Sequence, residues 1–348
     1  MNGNDQSMES NGTRVRHADP THSQIPDEVS QVRKPPVLFL VIPCYREQEQ
    51  LAITTPILER KMGSMIDAKM ISQSSRILFV DDGSQDHTWQ VIEGLHRDNP
   101  MLFHGIRLAH NRGHQNALLA GLMTALKQGC DVAASMDADL QDDVDALDRM
   151  LDEHAKGAQI VYGVRSSRDK DTWFKRTTAE AFYSVQAWMG AETIRDHADY
   201  RLMDRQALEA LSQYHEVNLF LRGIVPDLGF TTAVVEYKRG ERTAGESKYP
   251  LKKMISFAIQ GITSFSAKPL KFVTGAGLLS TLAGIVMLVY TLISLFTGNS
   301  TAGWASIMCS LWLIGGMLML SLGVLGEYIG KIYLETKHRP RYNIQQRL

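Results

Sequence analysis

Four short clusters in the chain carry residue types that could act on a phosphorylated substrate. The most informative is Asp137-Ala138-Asp139-Leu140-Gln141, which follows directly on the apolar run Val132-Ala133-Ala134-Ser135-Met136. Two carboxylates one residue apart at the carboxyl end of a buried strand stand where open α/β sheets bind ligands. Hard oxygen ligands at this spacing suit Mg²⁺ or Mn²⁺, and such an ion can neutralise a diphosphate leaving group. A second acidic pair, Asp81-Asp82-Gly83-Ser84, follows Arg76-Ile77-Leu78-Phe79-Val80, and Gly83 permits the tight turn that points carboxylate oxygens into a cleft. Pro43-Cys44-Tyr45-Arg46-Glu47 closes the first apolar run; Tyr45 could stack on a base, and Glu47 could bind a base or a ribose. Asn111-Arg112-Gly113-His114-Gln115-Asn116 sets a glycine at a helix entrance, where backbone N–H groups can approach an anion. Each cluster alone is also what a solvated loop looks like. Their fall on successive strand-end loops is what points to a nucleoside-diphosphate site.

The elements that must position these loops alternate along the chain. Apolar runs at 37–43, 76–80, 101–108, 131–136 and 159–162 read as strands, and 48–70, 88–98, 116–128 and 143–156 read as helices. Such alternation predicts an α/β domain with a mostly parallel, Rossmann-like sheet and right-handed crossovers. Beyond Gly163 the pattern is less regular: a charged, mobile segment at 165–176, an aromatic helix at 178–189, a short helix at 206–211 and a strand at 231–237. Leu251, Met254, Ile255, Ala258, Ile259 and Ile262 recur at helical spacing, as in an amphipathic helix lying on a membrane surface, with an ordinary packing helix as the competing reading.

The 348 residues suffice for one large catalytic domain plus membrane segments, and a net charge of −1 supplies no basic field for nucleic acid. Cys44, Cys130 and Cys309 lie far apart, without metal-type spacing or a disulfide framework, and read as small buried apolar residues of a reducing compartment. The polar first 33 residues read as a disordered tail with no sign of a signal peptide. Segments 272–296 and 304–326 carry no charge, and each is long enough to cross a bilayer. Lys268 and Lys271 precede the first; Lys331, Lys337, Arg339, Arg341 and Arg347 follow the second. The positive-inside rule then puts both termini and the catalytic domain on the cytoplasmic side. The expected division is a tail at 1–34, a catalytic domain at 35–248, a juxtamembrane amphipathic helix at 249–270, membrane helices at 271–297 and 304–327, and a basic tail at 328–348.

In order and content these motifs resemble family 2 glycosyltransferases with the GT-A fold. The resemblance continues through His197-Ala198-Asp199-Tyr200-Arg201-Leu202-Met203-Asp204, Gly245-Glu246-Ser247-Lys248-Tyr249 and Gly326-Glu327-Tyr328-Ile329-Gly330-Lys331-Ile332-Tyr333. That set is similar to the polyprenyl-phosphate glycosyltransferases, which include dolichol-phosphate mannose synthase and bactoprenol glucosyl- and N-acetylglucosaminyltransferases, and it covers about 37–342. The resemblance implies that Pro43, Tyr45, Glu47 and Asp82 hold the nucleoside, with Gly113 and Asp137 completing the nucleotide-sugar site. It implies that Asp137, Asp139 and Gln141 surround Mg²⁺ or Mn²⁺ and the diphosphate, and that Asp139, Asp199 and Arg201 act at the reacting centre. Arg201, Arg242, Ser247 and Lys248 would bind the acceptor phosphate, and the 165–176 segment would cover it. Asp199 could orient an arginine or the sugar, or act as a base. The implied reaction is single, inverting transfer from a nucleotide sugar, UDP-linked by resemblance, to a polyprenyl phosphate at the cytoplasmic membrane. Glucose, N-acetylglucosamine, galactose and mannose all stay open as the sugar. A homo-oligomer, a tetramer by resemblance, is the expected assembly. A processive polysaccharide synthase is the competing enzyme, but the chain lacks a Gln-x-x-Arg-Trp motif and one hairpin cannot enclose a polymer pore. A non-catalytic membrane scaffold is the other alternative, and the intact acidic set speaks against it.

Overall fold

A computed structural model describes residues 34–165, 197–217, 219–238, 268–296 and 303–348. The expected tail at 1–33, the segment 166–176, the helix at 178–189 and the amphipathic stretch at 249–267 lie outside the described residues, as do Arg242, Ser247 and Lys248.

Seven consecutive buried residues, Leu38–Cys44, form β1 at the centre of an eight-stranded sheet. A strand buried on both faces needs apolar side chains at every position, which is why it reads as a continuous run. The other strands are β2 (Arg76–Asp81), β3 (Phe103–Leu108), β4 (Val132–Ser135), β5 (Ile160–Arg165), β6 (His197–Asp204), β7 (Thr232–Tyr237) and β8 (Ile344–Arg347). Their order is β7-β5-β6-β4-β1-β2-β3-β8. Parallel pairing joins β1 to β2 and β4, β2 to β3, and β5 to β7. The sheet is thus mostly parallel, as expected, with two antiparallel insertions: β6 between β4 and β5, and β8 along β3.

Neither insertion is anticipated by an apolar run. In β6, charged Asp199 and Arg201 alternate with buried Tyr200 and Leu202. β8 is the short polar stretch IQQR, defined by its pairing rather than by hydrophobic burial.

Helices cover both faces. α1 (Gln48–Asp67), α2 (Thr88–Asp98) and α4 (Ala146–Ala155) close one core around Leu38, Leu40 and Ile42. α3 (His114–Lys127), α5 (Arg205–Ser212) and α6 (Leu221–Asp227) close the other around Phe39 and Val41. Successive β1 side chains point into opposite cores, as the period of two demands. α3 lies so close to the sheet that a Cβ on Gly121 would fall 2.3 Å from Val41 Cγ1 and 2.8 Å from Val80 Cγ2. Gly121→Ala is therefore expected to overpack this core and to destabilise the domain by about 1–3 kcal/mol, lowering the thermal midpoint in detergent. An unchanged midpoint would mean that α3 can shift away from the sheet at no cost.

Two long helices follow, α7 (Lys268–Phe296) and α8 (Trp304–Thr336), and they pack against each other. Among the described residues one stretch, Ile314–Thr336, is long and apolar enough to cross a membrane. Both helices carry exposed apolar side chains, among them Leu278, Leu279, Leu318 and Met319. The basic tail expected from residue 328 takes another form: α8 continues to Thr336, and the chain then returns to the sheet as β8.

Candidate active site

The carboxyl ends of β4, β1, β2 and β3, neighbours in that order in the sheet, release the four loops that the sequence marks. They surround a cleft of about 260 Å³. Pro43, Tyr45, Glu47, Asp82, Gly113, Asp137 and Asp139 all line it, joined by Asn111 and His114. Tyr45 stands at the mouth, 41 % exposed, with the Arg46 guanidinium 5.3 Å from its ring centroid.

The second loop is built around its own acids. Asp81 is fully buried, accepts the Ser84 N–H at 3.0 Å and faces Arg107 Nε at 3.3 Å. Gly83 has φ +68°, and a Cβ there would lie 2.6 Å from the His110 carbonyl carbon, so only glycine fits where the β2 and β3 exit loops touch. Asp82 accepts the backbone N–H of Arg112 at 2.7 Å and of Gly113 at 2.9 Å. This adds to two sequence expectations. The Arg112 and Gly113 amides of the glycine turn are taken by an internal carboxylate. Asp82 in turn borders the cleft as the clamp of that turn, with both oxygens engaged. Burial pushes its carboxyl up, and the two amide bonds only partly offset the rise. Asp82→Ala should release the Asn111–Gly113 turn, which holds φ +86° at Gly113, and raise the donor KM about tenfold with a smaller change in kcat. An unchanged donor KM would remove the clamp from the site.

The fourth loop is strained and pinned. Leu140 has φ +54°, a left-handed conformation that costs a branched, non-glycine residue roughly 1–2 kcal/mol. Thr54 on α1 donates its hydroxyl to the Ala138 carbonyl at 2.6 Å, and the Gln141 N–H donates to Asp139 Oδ1 at 3.2 Å. Gln141, expected beside the metal, is buried and outside the cleft lining, and its backbone amide orients Asp139.

Beside this loop, β6 brings up Asp199. Its carboxylate accepts Arg201 Nη2 at 2.7 Å and Arg222 Nε and Nη2 at 3.2 and 3.1 Å. His114 Nε2 lies 3.4 Å from Asp199 Oδ2 and 3.7 Å from Asp137 Oδ1, bridging the two acids. Burial alone would raise the Asp199 carboxyl, but the hydrogen bond from His114 and the charges of Arg222 and Arg201 outweigh it and hold it well below the usual range. A carboxylate so held is a weak base. Of the roles left open by the sequence, orienting arginines is the one this geometry supports. Arg201 itself is 1 % exposed and donates its other terminal nitrogen to the Leu221 carbonyl at 3.3 Å. Its guanidinium is not offered to an acceptor phosphate, which corrects that expectation: a charge buried between strands can be kept only by its partner carboxylate.

The network contains residues that sequence reasoning missed. His114 stood inside a quoted motif, yet only its tertiary neighbours reveal it. Arg222, 44 % exposed, is the solvent-facing cation on Asp199. Gln115 Oε1 accepts the Leu221 N–H at 2.9 Å and so fixes the helix that carries Arg222. Asp142 is buried, bound by the Tyr237 hydroxyl at 2.5 Å and Arg165 Nη2 at 3.0 Å. Arg222 and Asp142 lie outside the four clusters, and His114 and Gln115 lie inside one whose spacing assigns them no role.

The donor set can be tested for a divalent cation. Asp137 is pushed up to about 6, chiefly by burial, with the charges of Asp142, Asp199 and Asp139 adding and His114 opposing. A carboxylate under such pressure from its neighbours is one that a cation relieves. Among the described residues no three His, Cys, Asp or Glu side chains converge into a ready cage. Mg²⁺ and its analogues are commonly held by one or two carboxylates plus substrate phosphates, so Asp137 and Asp139 fit an ion that arrives with a diphosphate.

A family model described as "Glycosyl transferase family 2" matches residues 39–212, and one described as "GtrB C-terminal hairpin" matches 268–332. The chain is 48 % identical to "Uncharacterized glycosyltransferase YkoT" of Bacillus subtilis (strain 168), over 89 % of this chain and 91 % of that protein. It is 37 % identical to "Bactoprenol glucosyl transferase" of Shigella phage SfX, over 89 % of this chain and 99 % of that protein. It is 35 % identical to "Prophage bactoprenol glucosyl transferase homolog" of Escherichia coli (strain K12), over 89 % and 98 %.

Proposed function

The chain belongs to glycosyl transferase family 2, and from that premise we propose that it transfers a single hexose or N-acetylhexosamine from a nucleotide sugar to a polyprenyl phosphate at a membrane face. The observation that carries this reading is the joining of Asp137 and Asp139 to Pro43, Tyr45 and Glu47 on one strand-end cleft. Near full-length similarity to bactoprenol glucosyl transferases supports the lipid acceptor.

In this reading the nucleoside enters at Tyr45 and Glu47, and its diphosphate lies over Asp137 and Asp139. When bound, Mg²⁺ or Mn²⁺ supplies Lewis-acid stabilisation of the leaving diphosphate, with those two carboxylates as its protein ligands. A lipid monophosphate has a second pKa of about 6 and is largely dianionic at neutral pH. One of its oxygens forms the new bond to the anomeric carbon as the bond to the nucleoside diphosphate breaks, with inversion. No strong protein base is needed, so positioning and charge neutralisation carry the rate. Arg222, oriented by Asp199, is assigned to the acceptor phosphate together with Arg242, Ser247 and Lys248. UDP-glucose and UDP-N-acetylglucosamine are the preferred donors.

α7 and α8 both cross the bilayer, the 249–270 segment lies along its surface, and the catalytic domain with both ends of the chain faces the cytoplasm. The exposed apolar side chains of both helices support this, as does the cluster of Lys331, Lys337, Arg339 and Arg341 after the second span. A homo-oligomer, up to a tetramer, is the assembly proposed.

Purified protein given undecaprenyl phosphate, Mg²⁺ or Mn²⁺ and labelled UDP- or GDP-sugars is expected to yield one lipid-extractable, acid-labile monosaccharide product. No lipid product with any donor, from folded protein, would overturn the assignment. On the acceptor side, Lys248→Ala should raise the KM for lipid phosphate about tenfold while leaving donor binding within about twofold. Equal loss on both sides would contradict the placement of Lys248.

A further inference from the structure

We propose that residues 342–348 are a positioning strap for the donor cleft, coupling the end of α8 to the loop that shapes the nucleotide-sugar site; this rests on the donor reading above. The strap adds a strand to β3 in the register Ile106↔Arg347, Arg107↔Gln346 and Leu108↔Ile344, with a register shift between Arg107 and Leu108. Pairing continues past both ends of β8: the Leu348 N–H donates to the Gly105 carbonyl at 2.8 Å, and the Ala109 N–H to the Asn343 carbonyl at 2.9 Å. The last bond sits immediately before His110, whose backbone abuts Gly83, and before the Asn111–Gly113 turn that Asp82 clamps.

A second route runs through a side chain. Arg107, opposite Gln346, reaches Asp81 at 3.3 Å and donates to the Ser84 carbonyl at 3.1 Å. The Ser84 hydroxyl accepts the Arg46 N–H at 3.0 Å, next to Tyr45 at the mouth of the cleft. β3 therefore sets two walls of the donor site, and β8 is what turns β3 from an open edge into an interior strand. The strap also grips both faces of the sheet: Leu348 packs into the core of α1 and α2, while Tyr342 and Ile344 pack into the core of α3. Its other end is moored where α8 stops. Glu335 accepts the Val217 N–H at 2.9 Å, and Arg341 donates to the Tyr214 carbonyl, in the connection that leads to α6 and Arg222. A segment added in this way acts like a peptide bound by strand addition, with main-chain bonds supplying affinity. The helix read as a membrane span is thereby tied to the geometry of the donor cleft.

The test compares intact protein in detergent with protein lacking residues 343–348, using UDP with Mn²⁺ as the binding probe and full transfer kinetics as the second readout. The deletion is expected to weaken UDP binding and raise the donor KM by about tenfold, with kcat at saturating donor and the KM for lipid phosphate within about twofold. A synthetic peptide of residues 342–348 added in trans is expected to restore most of the affinity. A merely structural role would lower the active fraction, reducing kcat at unchanged donor KM, and that outcome would overturn the proposal, as would a folded deletion protein that binds UDP as tightly as the intact one. If the deletion does not fold, Gln346→Pro, which removes one strap amide opposite Arg107, carries the same expectations. Failure of the intact protein to bind UDP would sink the donor reading, a result distinct from equal binding by both proteins.

Discussion

Replacing Asp139 with alanine is expected to abolish measurable transfer, a loss of roughly 10³-fold or more, in protein that stays folded and membrane-bound. The size follows from what the carboxylate is assigned to do. A cation that stabilises a departing diphosphate contributes several kcal/mol at the transition state, and each ~1.4 kcal/mol is a factor of ten in rate. The folded state depends on Asp139 far less. The residue is only partly buried at a cleft, and the hydrogen bond that the Gln141 N–H gives its side chain is 3.2 Å long, at a turn open to solvent. Loss of such a bond at a partly exposed turn costs about 1 kcal/mol. Asp139→Ala should therefore leave the thermal midpoint within a few degrees while activity disappears, and chelation of the divalent ion should reproduce the loss in the wild type. Retained transfer, or chelator-resistant transfer, would remove Asp139 from the metal site.

Asp199→Ala should behave in the opposite way and unfold the site. Arg201 is buried between β4 and β5, and Asp199 is the carboxylate paired with it. Removing one partner of a buried pair typically costs about 3–5 kcal/mol, because the other charge is left without compensation. The substitution also releases Arg222 and takes one of the two bridged acids from His114. A large fall in the thermal midpoint is expected, with part of it recovered in Asp199→Ala/Arg201→Met, where no buried charge is left behind. A double mutant no more stable than Asp199→Ala would show that the guanidinium is not the cause.

The same carboxylate gives a pH signature. Its native proton affinity is held below the usual range, so its share of stability is present above the unfolded-state value and is lost as pH falls through the depressed native value. Acid destabilisation should accordingly be shallower in Asp199→Ala than in wild type. Equal slopes would place the acid-sensitive group elsewhere.

The sequence by itself determined the parts of this protein whose causes are local. β1, β2 and β4 announce themselves because strands buried on both faces are runs of apolar residues, and the acidic turns follow where the β2 and β4 runs stop. The uncharged segments 272–296 and 304–326 are equally plain in composition, and each lies inside a long helix, of 29 and 33 residues, whose charged ends the apolar signal does not reach. Only the tertiary structure decided which groups meet. Asp199 lies 85 positions from His114 along the chain yet touches it, because β6 inserts antiparallel beside β4. Arg201 looks like a phosphate ligand in a motif and becomes a buried counter-ion once β4 and β5 enclose it. Asp82 looks like a ligand for substrate and becomes the acceptor for two backbone amides of another loop. β8 carries no apolar signature, because its place is set by main-chain bonds to β3, which any side chains permit. Burial and strand register convert a list of charged residues into partners, and neither is encoded in the spacing of the residues themselves.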